Sequence, residues 1–235
     1  MIKKAMIFAA GKGTRLKPIT ESIPKALVEF QSKPLLEIVI TKLIASGIKE
    51  FVINVHHFSD QIVDFVTGKK DFGAKIVFSD ESDLLLDTGG GLKKAAAYFE
   101  GNEPFLLHNV DIISDIDINL MHSYHLEKNA LATIAVSSRE TQRYFLFDDR
   151  MTLRGWENIR TGEIKGYSED TLSLKRLAFS GIHILDPRIL GLMPQKDVFS
   201  MVELYLLLMG NQRICGYVHS PENWRDLGKI EDFVK

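Results

Sequence analysis

The residues of this chain that could do chemistry begin in AMIFAAGKGTRLKPITESIPKALV, where fixed positive charge crowds a glycine-bearing turn. Met6 to Ala10 form a short apolar run that ends at Gly11. Lys12, Gly13, Thr14 and Arg15 follow, and Lys25 stands directly after Pro24. Glycines let backbone N–H groups approach a polyanion, and lysine and arginine neutralise charge that amides alone cannot. A guanidinium can bridge phosphate oxygens bidentately and keeps its charge at neutral pH, which makes Arg15 the foremost candidate; Lys25 offers a movable point charge. The combination suits a triphosphate. A second chemical point is Asp111, where PFLLHNVD passes abruptly from apolar residues to a carboxylate. Magnesium favours oxygen ligands and often takes only one or two protein carboxylates, completing its shell with phosphates and water. Asp115 and Asp117 lie close by in sequence but read as loop and cap residues before a helix at Asn119.

Two commoner phosphate loops are excluded. No G-x-x-x-x-G-K-[ST] string occurs, and G-x-G-x-x-G fails because Leu16 occupies the place of its third glycine.

The string A-A-G-K-G-T-R-L-x-P followed by P-K-A-L-V resembles the signature of the sugar-1-phosphate nucleotidylyltransferases. The short members acting on N-acetylmuramate 1-phosphate or mannose 1-phosphate are the most similar in pattern. The likeness continues in the family's order through SKPLLEIVITKLIASGIKEFVINV, DTGGGL, PFLLHNVD, FSGIHIL and NWRDLG. It implies an NTP, with UTP or GTP foremost, reacting with a sugar 1-phosphate to give an NDP-sugar and pyrophosphate, with Mg²⁺ as cofactor. It also implies that Arg15 faces the triphosphate and Lys25 the reacting phosphates, and that Asp111 and Asp226, the latter in W-x-D-x-G, share the metal. Ala9, Ala10, Gly11, Gly13 and Thr14, the segment Asp87, Thr88, Gly89, Gly90 and Gly91, and Asn109 would serve nucleotide binding. Ser180 and Gly181, in F-S-G-I, would lie along the sugar. Asn54 and His56 match a polar patch in relatives.

Two departures stand out. The family's usual N-G-D or G-D reads Asn109-Val110-Asp111 here, and no Glu-Lys-Pro element lies between Arg139 and Ala178. Lys165 or Lys175 is a candidate to replace its lysine. These departures keep two other readings open. One is a regulatory subunit that binds nucleotide sugar with little catalysis. The other is a cytidylyltransferase acting on a non-sugar phosphate such as phosphocholine.

The elements that must position these residues alternate. LLEIVITKLIASG is a helix stopping at Gly47, FVINV a strand, SDQIVDFV a helix after a Ser59 cap, AKIVFS a strand, and GGLKKAAAYF a helix leaving the glycine run. Repeated strand–helix–strand units predict a mostly parallel sheet with right-handed crossovers and helices on both faces. Together with the resemblance this implies an α/β, three-layer Rossmann-like nucleotidyltransferase fold with a mostly parallel, mixed central sheet. Ligands in such sheets sit at the carboxyl ends of strands. From Ala130 the pattern turns antiparallel in LATIAVS, YFLFDD, MTLRGW and EIKGYS. LAFSGIHIL is a buried strand, DPRILGLM and VELYLLLM are helical, RICGYV is a strand, and IEDFVK is a short helix. A single domain over 1–235 is expected, with 1–129 binding nucleotide and 130–235 binding sugar and carrying the second metal ligand.

Bulk properties set limits. With 29 basic and 31 acidic residues the net charge is −2, so nothing draws the chain broadly to nucleic acid or anionic membrane, and any anion site is local. The lone Cys215 reads as a buried structural thiol suited to a reducing compartment. No apolar run reads as a signal peptide or membrane span. A cytoplasmic monomer or small homo-oligomer, with no nucleic-acid or membrane partner, is expected. No hexapeptide repeat occurs.

Overall fold

The computed structural model describes residues 1–166 and 173–233. In chain order, β1 (Lys4–Phe8) leads into the glycine turn, and a hairpin of β2 (Glu29–Phe30) and β3 (Lys33–Pro34) precedes α1 (Leu35–Ala45). Then come β4 (Glu50–Val55), α2 (Ser59–Gly68), β5 (Lys75–Asp80), α3 (Asp87–Lys94) and β6 (Phe105–Asn109). The second half holds β7 (Ile112–Ile113), α4 (Ile118–Glu127), β8 (Ala132–Ser137), β9 (Arg143–Phe147), β10 (Leu153–Asn158) and β11 (Glu163–Gly166). It closes with β12 (Lys175–Leu185), α5 (Met201–Leu208), β13 (Ile214–Val218) and β14 (Arg225–Asp226).

One ten-stranded sheet takes strands from both halves in the order β11-β10-β9-β12-β6-β1-β4-β5, with β8 also on β12 and β13 on β8. The first half is parallel: β1 pairs β4 and β6, and β4 pairs β5. β12 then runs antiparallel to β6, β8 and β9, which sets the sense of the other half. Because strand side chains alternate faces, Ala5 and Ile7 join one core with α1 and α2 while Met6 and Phe8 join another with α3 and α5. Burial on both faces explains why β1 reads as an unbroken apolar run.

Helix boundaries show where tertiary packing overrode local signals. α1 ends at Ala45 and Gly47 takes a φ of +98°, the glycine stop expected there. Asp117 caps α4 through its side chain, accepting from the Asn119 and Leu120 amides. Ser59 is not the cap of α2; it is the first helical residue, and Phe58 precedes it in a left-handed conformation. α3 starts before its glycines, at Asp87, which holds an uncommon φ of +60°. A Cβ on Gly90 would fall 2.0 Å from the Asp197 carbonyl oxygen, so the run is glycine because another backbone crosses it. DPRILGLM forms a 3-10 helix from Pro187 to Leu192, and IEDFVK one from Ile230 to Phe233; Tyr167, Ser168, Val234 and Lys235 lie outside the described residues. β2, β3 and β7 are too short to carry a sequence period.

Candidate active site

Three parallel strands deliver polar residues to one rim. β1 runs into Ala9, Ala10 and Gly11, β4 brings Asn54, and β6 ends at Asn109 with Asp111 just beyond. Val110, in place of the family's glycine, donates its amide to the Phe8 carbonyl and buries its side chain in the core. The position therefore continues the β1–β6 pairing and leaves Asp111 at the rim. A cavity of about 450 Å³ opens there, lined by Ala9, Ala10, Gly11, Lys25, Asn54, Glu81, Asp87, Thr88, Asn109 and Asp111, with Phe8, Leu85, Val110 and Val198 as apolar wall.

The glycine turn is pinned from behind. Gly13, at a φ of +62°, accepts hydrogen bonds through its carbonyl from the Leu16 amide and the Thr20 hydroxyl, each at 2.8 Å. A Cβ there would meet Thr20 Cγ2 at 2.9 Å and Lys25 Cβ at 3.1 Å, so only glycine suits both the conformation and the space. Thr14 lines a neighbouring cavity of about 520 Å³ with Lys12, Lys17, Thr20, Glu21, His56 and His57. His56 Nδ1 in that wall is buried and finds no hydrogen-bond partner among the described residues. Lys17 pairs with Glu21 at 3.7 Å, which leaves Lys12 and the two imidazoles to make the recess receptive to anionic oxygens.

Asp111 and Asp226, more than a hundred residues apart, meet through β7 and β14. Asp226 pairs with Ile112, and the Leu227 amide donates to the Asp111 carbonyl at 2.9 Å. Flanking anchors hold this segment: the Trp224 indole donates to the Ser180 carbonyl at 2.9 Å, and the Asn223 side-chain Nδ2 to the Asp115 carboxylate at 2.6 Å. Burial foremost, then the charge of Asp111, pushes the Asp226 carboxyl above its ordinary range; Lys25 and Arg15 oppose the rise, and Asp232 adds to it. Asp226 Oδ1 is buried with no hydrogen-bond partner among the described residues. Lys25, on the short helix after Pro24, forms an ion pair with Asp111, both side chains being mostly buried.

Gly228 shows how close Arg15 comes. A Cβ on Gly228 would stand 2.7 Å from Arg15 Nη2 and 2.8 Å from Asp226 Oδ1. Two carboxylates, one with an orphaned buried oxygen, fit a single hard cation. Among the described residues no group of three or more histidine, cysteine or acidic side chains is placed to hold a metal alone, so other ligands would come from bound oxygens.

The glycines of α3 stand apart from the cavity wall. Gly89 and Gly90 both donate their amides to the Phe199 carbonyl and pack beneath the rim. Asp87 and Thr88 are the part of that segment on the wall. Behind the wall runs a network that the sequence hides in part. Asn54 accepts from the Ala9 amide at 2.7 Å and donates to Glu81 at 2.7 Å, and Glu81 accepts from the Leu86 amide. Asn54 had a signal, its place at the end of FVINV; Glu81, inside the polar run SDESD, had none. Gly181, at a φ of +76° in an irregular stretch of β12, lies against Ile112 and Asn109. Ser180 is buried, with its hydroxyl 2.7 Å from His219 Nε2 and its carbonyl taken by Trp224. Lys165 and Lys175 sit in exposed ion pairs with Glu163 and Asp149.

Known proteins are similar to this chain in sequence and in fold. The family model described as nucleotidyl transferase matches residues 4–235. An N-acetylmuramate alpha-1-phosphate uridylyltransferase of Caulobacter vibrioides is 31% identical over 235 residues, covering 96% of this chain and 92% of the relative. A UTP–glucose-1-phosphate uridylyltransferase of Synechocystis is 28% identical over 98% of this chain, which spans 61% of that relative's length. The crystal structure of HddC from Yersinia pseudotuberculosis, complexed with GMP-PN, superposes with a TM-score of 0.77 at 25% identity, covering 99% and 97% of the two chains.

Proposed function

We propose that this chain, which belongs to the nucleotidyl transferase family, transfers a nucleotidyl group from an NTP to a sugar 1-phosphate and releases pyrophosphate. The observation that carries the reading is the meeting of Asp111 and Asp226 opposite Arg15 and Lys25, at the rim where β1 and β6 end. A phosphate oxygen of the sugar phosphate attacks the α-phosphorus of the NTP, and pyrophosphate leaves. No covalent help from the protein is required. What is required is alignment of two anions and neutralisation of charge moving onto the leaving group.

The nucleoside takes the 450 Å³ cavity, with its base between the apolar wall and Asp87 and Thr88 at the start of α3. The amides after β1 and the recess holding Lys12 and His56 receive the triphosphate. Arg15 holds the departing pyrophosphate oxygens, and Lys25 exchanges its pair with Asp111 for the phosphate at the reacting centre. Asp111 and Asp226 would hold Mg²⁺, which when bound supplies charge neutralisation between donor and acceptor phosphates. With UTP and N-acetylmuramate 1-phosphate the product would be a cell-wall precursor; GTP with mannose 1-phosphate is the other leading pair. Among the described residues no helix is long and apolar enough to cross a membrane.

The test is a matrix of four NTPs against several sugar 1-phosphates with Mg²⁺, read as released pyrophosphate. One productive pair supports the reading, and silence across the matrix while NTP still binds rejects it.

A further inference from the structure

The cations already placed, Arg15 and Lys25, both come from the first 25 residues and serve the NTP. An acceptor phosphate arriving beside the same carboxylates needs positive charge from the other side. Lys165 and Lys175 sit in ion pairs with exposed carboxylates. Arg154, Arg176 and Arg188 are likewise paired, with Asp148, Glu157 and Asp186. Arg139 differs from all of these.

Arg139 follows β8 and lies over Trp224, its guanidinium carbon 4.1 Å from the indole centroid. Its Nη2 donates to the Phe179 carbonyl at 2.6 Å, next to Ser180 and Gly181. Its Nε is buried and has no acceptor, and among the described residues Arg139 makes no ion pair. Burial disfavours its charge, and the carboxylate of Asp226 offsets part of that cost. The two stand within electrostatic reach yet are not in contact as an ion pair. A guanidinium with an unsatisfied N–H, stacked on an indole whose residue stands two positions before the metal-ligand candidate Asp226, has the planar geometry that a phosphate dianion accepts.

We infer that Arg139 binds the phosphate of the sugar 1-phosphate, fixing it against Asp226 from the side opposite Lys25. The indole of Trp224 and the Phe179 carbonyl hold the guanidinium in plane before the acceptor arrives. The role rests on the transfer reaction proposed above, because only that reaction brings a second phosphate to this side of the carboxylates.

Arg139→Gln keeps a hydrogen-bond donor and removes the charge; Arg139→Lys keeps the charge and loses the planar stack. The probes are UTP with N-acetylmuramate 1-phosphate and GTP with mannose 1-phosphate. KM for each substrate is measured separately, and NTP-induced thermal stabilisation serves as the fold check. The expected result is a rise of about tenfold or more in acceptor KM for Arg139→Gln, a smaller rise for Arg139→Lys, and an NTP KM within about twofold. An unchanged acceptor KM, or an equal rise for both substrates, overturns the assignment while leaving the transfer reaction standing. If Arg139→Gln does not fold, the split in Arg139→Lys decides. Wild-type protein that stabilises with NTP but releases no pyrophosphate with any pair of the NTP and sugar 1-phosphate matrix removes the reaction, and the arginine's role with it.

Discussion

Gly228→Ala inserts one methyl group into the gap between Arg15 and Asp226. At its ideal position that methyl stands 2.7 Å from Arg15 Nη2, 2.8 Å from Asp226 Oδ1 and 3.1 Å from Arg15 Cζ. Comfortable heavy-atom contacts lie near about 3.5 Å, so these groups must retreat by roughly 0.7 Å. Gly228 is not among the positive-φ glycines, so alanine brings no backbone strain. The atoms that must move are side-chain ends, and the melting temperature should stay within about 2 °C of wild type. The site is less forgiving than the fold. Misplacing a reacting group by about an ångström can cost on the order of a hundredfold in rate. The expected loss in kcat/KM is about 10- to 100-fold, or about 1.4–2.7 kcal/mol of transition-state stabilisation. The assay is pyrophosphate release at saturating NTP and varied sugar 1-phosphate, paired with a thermal melt. A folded Gly228→Ala protein with wild-type kcat/KM would show that Arg15 and Asp226 do not flank a working gap.

Other outcomes follow from the same geometry. Arg15→Ala should lower turnover on the order of a hundredfold or more through lost electrostatic stabilisation, and a near-normal rate removes it from the mechanism. Gly90→Ala drives a methyl to 2.0 Å from the Asp197 carbonyl oxygen, a backbone atom with little freedom to move. It should cost about 1–3 kcal/mol and lower the melting temperature by about 3–9 °C; an unchanged melt would mean that the two segments are not packed this way. Burial pushes His108 down to about 4 and His183 down to about 3. Unfolded chains protonate these rings below about pH 6.5 while the folded protein does not, so stability should fall as pH drops from there toward 4 and then 3. Each ring can contribute up to about 1.4 kcal/mol per pH unit. The slope of melting temperature against pH should flatten in His183→Gln, and no slope at all in wild type contradicts buried, neutral rings.

Much of the first half of the fold is legible in the sequence because its requirements are local. A strand buried on both faces must be apolar throughout, a glycine must turn it, and the charges proposed to meet the phosphates follow within a few residues. Gly47 and Asp117 carry their capping roles in their own identities. What escapes is what depends on distant chain. The pairing of Asp226 with Asp111 is made by two-residue strands with no period to read, so only its order among family motifs points to it. Gly89 and Gly90 read only as part of a segment for nucleotide binding, and nothing near them in sequence shows that their amides serve Phe199, a residue more than a hundred positions away. Glu81 sits in a polar run that looks solvated, yet it is 1% exposed and anchors Asn54. Arg139 gives no sign in sequence because its partners, Phe179 and Trp224, arrive from separate elements.

The most direct measurement is a double-mutant cycle on Asp111→Asn and Asp226→Asn, read as pyrophosphate release while Mg²⁺ is titrated. If the two carboxylates hold one ion, each single change should lower kcat/KM by about 10²–10³-fold, and the double variant should be hardly worse than either. Single variants that retain wild-type rates, or losses that simply multiply in the double variant, would contradict a shared ion.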